Sequence, residues 1–408
     1  MTRVIVIGAG AAGSMAAIFS ARAGAETTLL ERTRDGGKKI LISGGGRCNV
    51  LPLRLDESRF VTDSSPNVLR KMIRSWPLAE QVAFFEQDLG IRLEAEEESL
   101  KLFPASHRAR DVRDGLLAHA VSAGVRMRMD ITVTDIAPTP AGWRVQSAEH
   151  EPMYADSLIV ATGGLSVPTT GSDGFGLRAL ASLGHTINPT YAALTPVTAY
   201  GSAFSELSGV SLPVTITARS AARSASATGG FLFTHQGYSG PSVLDVSHVV
   251  VRARAEQSAE QRASATVQVR WSPLGEEDWK RELEPHGART VTGALRAHMP
   301  DRLASLLLTI ADVDATRALS ELRREERIRL IETLVRGDLP WTGDEGYKKA
   351  EVTGGGVALG EVDARTMESR RHPGLFLCGE VLDAFGPIGG YNFLWAWATG
   401  RAAGIGAA

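Results

Sequence analysis

The residues best placed to do chemistry stand at the start of the chain. Gly8, Gly10 and Gly13 are spaced G-x-G-x-x-G, after a β-branched run at residues 4–7 and before a small-residue, helix-compatible stretch at 14–23. Gly8 permits a tight turn, Gly10 lets diphosphate oxygens reach the backbone, and Gly13 lets helix and strand pack closely. Ala11 and Ala12 fall in the first helical turn, whose unpaired N–H groups and roughly half a positive charge favour a diphosphate. Gly24 ends the helix, a second strand runs over residues 27–30, and Glu31 closes it, with Arg32 next. A carboxylate at that edge accepts from ribose hydroxyls and disfavours a 2′-phosphate. Strand, glycine turn, helix, strand and acid together predict a cleft for FAD or NAD rather than NADP.

Pieces far downstream favour FAD. Val160-Ala161-Thr162-Gly163-Gly164 is a strand end that turns sharply, a feature of two-part FAD folds. Leu377-Cys378-Gly379-Glu380 ends a late strand with an acid able to bond a ribityl hydroxyl. Gly389-Gly390-Tyr391-Asn392 precedes a closing helix, whose N-terminus would stabilise charge gathering at the flavin pyrimidine edge on reduction. A plain NAD dehydrogenase needs none of these.

The whole chain has to position those pieces. Its 408 residues and net charge of −2 suit two or three domains and give no electrostatic footprint for nucleic acid or an anionic membrane. The 43 glycines exceed the roughly 29 that ordinary usage would give. Most fall at residues 1–49, 163–176 and 354–406, within strand-like and helix-like text, which marks backbone approaching something closely. Helical text is expected at 66–90 and 109–123, with a solvated acidic loop at 94–98 between them. Strands are expected at 125–136, 142–147 and 157–161. Alternating Val214-Thr215-Ile216-Thr217 and residues 265–271 read as an antiparallel β insert, and residues 303–310 and 319–334 as helices. The expected fold is α/β. A two-piece Rossmann-like FAD domain (1–190 and 346–408) is interrupted by a β-barrel-like domain (191–274) and a small helical domain (275–345). Residues 4–21 read as part of the dinucleotide unit, not as an export signal or membrane span. Two cysteines without a CxxC exclude a disulfide scaffold and a cysteine-rich zinc site, and no metal is expected; the low cysteine usage fits the cytoplasm.

Residues 8–13, 37–49 (GKKILISGGGRCN), 161–176 (ATGGLSVPTTGSDGFG), 233–241 (FTHQGYSGP), 350–356 (AEVTGGG), 366–369 (TMES) and 379–392 (GEVLDAFGPIGGYN) occur in this order. In these motifs the chain resembles bacterial NAD(P)/FAD-dependent oxidoreductases, a family that includes BaiN-type and aminoacetone-oxidase-like flavoproteins. The resemblance implies the same interrupted layout. It implies that Glu31 holds the adenosine ribose and that Val133 offers its backbone to adenine. Lys39, Ser43, Arg47, Cys48 and Asn49 would line a loop beside the cofactor, and Gly379, Glu380, Gly390, Tyr391 and Asn392 would reach the ribityl and isoalloxazine. Val50-Leu51-Pro52 replaces the family's usual Thr-Asn pair, and Phe385-Gly386-Pro387-Ile388 replaces more polar text.

For acid/base work the candidates are His235 and Tyr391, with Tyr238 as an alternate; His235 could equally fix its own turn. His185 reads as a helix C-terminal feature, and Cys48 and Cys378 as small buried residues. The expected activity is two-electron transfer through flavin N5 to or from a small or medium organic substrate. NAD(P)H, bound transiently, or O2 would be its redox partner, since no second G-x-G-x-x-G of comparable quality is present. The competing readings are a flavin-dependent RNA-modifying protein and a flavin redox sensor without turnover.

Overall fold

A computed structural model describes residues 1–255 and 265–408. The described chain divides into two compact units, residues 1–191 with 351–408, and residues 192–350.

The first unit is built on a five-stranded parallel sheet. Its strands are β1 (Arg3–Ile7), β2 (Glu26–Leu30), β3 (Arg126–Arg128), β4 (Ser157–Val160) and β5 (Leu375–Leu377), in the spatial order β5-β4-β1-β2-β3. Every neighbouring pair is parallel, with Val4 opposite Thr27 on one side and Ser157 on the other. The β-branched text at residues 4–7 suits this place, because the central strand is buried on both faces. Helix α1 (Ala11–Arg22) joins β1 to β2, and the closing helix α2 (Tyr391–Ala407) follows β5.

Helices α1 and α2 meet in register along small residues. A Cβ on Gly400 would lie 2.4 Å from the Ala12 carbonyl oxygen, and one on Gly404 would lie 2.3 Å from that of Ala16. Both pairings advance in the same direction, so the helices run parallel. Tyr391 begins α2 nine residues before the Ala12 crossing, which carries its N-terminus roughly 12 Å beyond that of α1 at 1.5 Å per residue.

Several expected elements differ in detail. The helical text at 66–90 forms Pro66–Arg74 and Leu78–Ala83, followed by a π-turn at Phe84–Asp88. The acidic stretch expected as a loop is strand at 94–96, and only Glu97 and Glu98 lie in a turn. Leu93–Glu96 pairs with Lys101–Pro104 as a hairpin, and Leu51–Pro52 adds a third strand. Alternation was masked there because the strand's partly exposed side chains are mostly acidic. The departure at Val50-Leu51-Pro52 thus becomes an edge strand, with the Val50 carbonyl accepting from Trp397 Nε1 at 3.0 Å.

The second unit carries a seven-stranded antiparallel sheet with Ser211–Arg219 and Ser224–Phe233 at its heart. Its edges are Gly337–Asp338 and Gly343–Asp344, and the short link between them bonds to both sides: Leu339 N–H to the Val267 carbonyl and Thr342 N–H to that of Thr198. The sheet is nearly closed into a barrel. The sequence divided this region at 274/275, but Phe231, Phe233, Val269 and Trp271 share one core with Leu303, Leu307, Leu330 and Leu334 of the helices. Neither part buries its apolar face alone, so the β and helical parts fold as one unit.

Candidate functional site

The glycine turn is held by close backbone contacts. Gly8 has φ +102°, and a Cβ there would lie 2.6 Å from the Ala161 carbonyl oxygen. A Cβ on Gly13 would overlap the Gly8 carbonyl, whereas one on Gly10 meets nothing within 4 Å. Gly10 therefore faces open space at the N-terminus of α1, where the amides of Ala11, Ala12 and Gly13 lack intrahelical acceptors. At the end of β4 the Thr162 hydroxyl is buried against Gly176, where a Cβ would lie 2.2 Å from it, and has no hydrogen-bond partner. The open glycine and the helix N-terminus fit an anionic dinucleotide.

Glu31 is buried and binds the turn from the β2 side. Its Oε2 accepts from Ala9 N–H at 2.8 Å, and its Oε1 accepts from the Thr33 N–H and hydroxyl, both at 2.8 Å. The Ile131 N–H donates to the Glu31 carbonyl, tying the Val133 segment to the same edge. Val133 itself opens the strand Val133–Thr139, paired with Ser147. The Arg32 guanidinium turns to Asp173 at 2.6 Å and to the Gly171 carbonyl at 3.2 Å, so it fastens the 168–173 turn to the end of β2.

On the far side of α1, Gly379 (φ +76°) sits against Ala12, where its Cβ would approach the alanine side chain to 2.7 Å. Helix α2 grips it at both backbone groups: Gly379 N–H donates to Thr399 Oγ1 and Trp395 Nε1 donates to the Gly379 carbonyl, each at 3.0 Å. Glu380 next to it is the centre of a polar cluster. Its Oε2 accepts from Lys39 Nζ at 2.7 Å, and its Oε1 accepts from the Ser166 hydroxyl at 2.8 Å and the Thr353 N–H at 3.0 Å. Burial pushes the Glu380 carboxyl up, but the Lys39 ammonium and the hydrogen bonds outweigh it and hold it below the usual carboxylate range. Gly164 admits this carboxylate, since a Cβ there would lie 2.9 Å from Glu380 Oε1 and 2.3 Å from Thr353 Oγ1.

The structure thus brings together Gly8, Gly10, Ala11, Ala12, Gly13, Glu31, Ala161, Thr162 and Gly163, with Lys39, Gly379 and Glu380 beyond them. Ser166, Thr353 and Thr399 escaped sequence reading; the first two lie inside the quoted motifs, and a hydroxyl embedded in glycine-rich turns was the signal. Other candidates are engaged locally. Ser43 Oγ donates to the Ile40 carbonyl, and the Arg47 guanidinium lies 4.2 Å above the Phe103 ring and pairs with Glu96. Asn49 lies against Gly44, 3.1 Å from the place of a Cβ. Cys48 is buried at φ +60°, and burial pushes its thiol up to about 12; Cys378 is buried too, and both are free.

Asn392 grips Gly386 with both amide atoms, each at 2.9 Å, so it shapes the Phe385-Gly386-Pro387-Ile388 turn. Gly390 packs on Leu51. Tyr391 is buried, its hydroxyl donating to the Arg54 carbonyl and accepting from Asp56 N–H, which makes it a loop anchor. His235 is exposed in the turn between two strands of the second unit. That turn is fixed by Thr234, whose hydroxyl accepts from Gly237 N–H at 3.1 Å, and not by the histidine. Tyr238 is core. His185 is more than a helix end: its Nδ1 lies 2.9 Å from Glu361 Oε2 and its Nε2 lies 3.0 Å from Ser369 Oγ.

A doubly wound parallel sheet with one dinucleotide cradle, extended by a second late-strand acid and a parallel closing helix, defines an FAD-dependent oxidoreductase. The profile of the HI0933-like protein Rossmann domain family matches residues 2–406, and the chain belongs to that family. It is 31% identical over 417 residues to a ribosomal RNA dihydrouridine synthase of Escherichia coli, covering 97% of this chain and 95% of that protein. It is 30% identical over 416 residues to a 3-dehydro-bile acid delta(4,6)-reductase of Clostridium scindens, covering 100% and 99%. The fold is also that of a 3-ketosteroid delta1-dehydrogenase of Sterolibacterium denitrificans (TM-score 0.55, 11% identity, 99% of each chain). A flavocytochrome c3 fumarate reductase is similar at TM-score 0.50 and 16% identity, over 100% of this chain and 78% of that one. Among the described residues no helix is long and apolar enough to cross a membrane.

Proposed function

We propose that the protein is a flavin-dependent reductase that saturates a carbon–carbon double bond conjugated to a carbonyl, on a small or medium organic molecule. A reduced nicotinamide dinucleotide is its electron donor. The carrying observation is the convergence of four separate segments, at Ala12, Lys39, Ser166 and Gly379-Glu380, on the open end of one dinucleotide cradle. Bound FAD supplies two-electron hydride chemistry at N5. The amides of Ala11, Ala12 and Gly13 would hold its diphosphate, Glu31 its adenosine ribose, and Glu380 a ribityl hydroxyl.

Support for the bond change comes from the relatives' names. One describes reduction at Δ4,6 of a 3-dehydro bile acid and the other synthesis of dihydrouridine. Each is saturation of a double bond conjugated to a carbonyl, in very different molecules. Charge favours the small one. The chain carries a net −2, and surface arginines are matched with acids, as in Arg3–Asp156, Arg74–Glu57 and Arg126–Glu26. Binding an RNA backbone draws on basic groups free to neutralise phosphates. The two free thiols fit a reducing cytoplasm.

The second reading, RNA modification, rests on the E. coli and Haemophilus influenzae relatives, both named ribosomal RNA dihydrouridine synthase. One experiment separates the two. FAD-loaded protein is bleached anaerobically with NADH or NADPH, then mixed with a conjugated steroid enone or with ribosomal RNA. Return of the yellow colour with the enone alone is expected. Return with RNA alone would overturn the small-molecule reading, and no bleaching by either nucleotide would overturn the donor.

A further inference from the structure

Ser166 is fully buried, and its hydroxyl joins three chain segments. It lies 2.6 Å from Lys39 Nζ, 2.8 Å from Glu380 Oε1 and 3.2 Å from the Glu351 carbonyl, while its own N–H donates to Thr353 Oγ1 at 3.1 Å. The next residue, Val167, is β-branched and precedes Pro168, yet has φ +46° and ψ +66°. That conformation is an outlier for valine and is disfavoured before proline, so the surrounding bonds must impose it. The lysine is fixed from its own side as well. Gly37 (φ +70°) opens the short helix Lys38–Ile42, and a Cβ there would lie 2.6 Å from Arg113 Cγ. The Arg113 guanidinium donates to the Gly36 carbonyl at 3.3 Å.

A lysine ammonium on a four-carbon stem is mobile unless more than one acceptor holds it. Here the ion pair to Glu380 uses one donor and Ser166 a second, and the Lys39 and Glu380 side chains remain partly accessible, at 26% and 18%. Glu380 follows Gly379, which packs on Ala12 in the first turn of α1. The fixed ammonium therefore lies beside the end of the cradle assigned above to the ribityl and flavin half. A flavin that takes up two electrons and one proton gains one negative charge, and a pre-placed cation stabilises that charge more than it stabilises the oxidised form.

Building on the FAD reading above, we propose that Lys39 tunes the cofactor's reduction and that Ser166 is the positioning residue that holds its ammonium in place. The readout is the midpoint potential of the bound cofactor, titrated with dithionite against a reference dye. It is measured alongside FAD content and thermal melting for the wild type, Lys39→Met, Lys39→Arg and Ser166→Ala. In Lys39→Met the affinity for reduced relative to oxidised FAD should fall about tenfold, which for a two-electron couple is about 30 mV. Ser166→Ala should fall in the same direction by about threefold, and Lys39→Arg should stay near the wild type.

FAD-loaded Lys39→Met at the wild-type potential would overturn the inference alone, as would a Lys39→Met protein that no longer retains FAD, since the lysine would then be a binding group. Ser166→Ala at the wild-type potential would remove the positioning role. If Ser166→Ala does not fold, the two lysine variants still decide. A wild-type protein that takes up no FAD would overturn the cofactor reading, and the inference with it.

Discussion

At the scale of single residues the cradle depends on groups with several partners each. Glu31 accepts three hydrogen bonds from the glycine turn and Thr33. Glu31→Ala leaves those donors without their acceptor, at about 1–3 kcal/mol, and FAD affinity measured by fluorescence titration should drop roughly 10- to 100-fold. The two cysteines make the opposite prediction. With Cys48 pushed up to about 12 by burial and Cys378 raised by the same cause, neither forms thiolate near neutrality. Folded protein at pH 8 should therefore react with a thiol reagent only after denaturant is added. Glu31 was legible in sequence because a strand end after G-x-G-x-x-G fixes its place. Tyr391 and Asn392 were legible as members of a motif but not in role. Which atom a side chain bonds depends on the 54–56 and 386 turns, and these are set by packing rather than by local text.

At the scale of elements, α1 and α2 approach so closely that Gly400 and Gly404 leave no room for a methyl group. Gly400→Ala must push two helix backbones apart and should cost about 1–3 kcal/mol, lowering the melting temperature and weakening FAD binding together. Gly360→Ala, where a Cβ meets nothing within 4 Å, is the neutral control.

The 359–372 loop is stapled by His185 between Glu361 and Ser369, with Arg371 and His372 also facing the imidazole. Burial holds the His185 pKa below its usual value, and the Arg371 guanidinium holds Glu361 down at about 2, helped by Thr186 and His185. The unfolded chain binds protons more readily at both groups, so their stabilisation is complete above about pH 6.5. It is lost as pH falls through the unfolded and then the folded values. Melting temperature should therefore decline from pH 7 to pH 5, and His185→Gln should flatten that decline. The parallel sheet and both its flanking helices were readable from β-branched runs, glycine turns and small-residue text, since neither helix has a polar face to give a period. The hairpin at Leu93–Glu96 was not, because a strand with acidic outward residues carries little apolar alternation.

At the scale of the whole molecule, glycine in the first unit gathers at the turn after β1, the 36–46 loop, the turn after β4, the 354–356 segment and the seam between α1, Gly379 and α2. The two-piece layout was legible because buried strands and glycine turns return in the same style after residue 350. The fusion of the β and helical parts into one unit was not, since a shared core is a property of faces that local sequence does not display. The relatives' names pair a nucleic-acid enzyme with a steroid-acid enzyme on one scaffold. That is intelligible if the scaffold supplies a tuned flavin and leaves substrate choice to a smaller set of side chains.

The most direct measurement of the central claim is the visible spectrum and FAD stoichiometry of the purified chain, with heat- or acid-released cofactor quantified. A yellow protein, or a colourless one that reconstitutes to one FAD per chain and loses it on Glu31→Ala, is the predicted result. A protein that stays colourless and binds no FAD on reconstitution would contradict it.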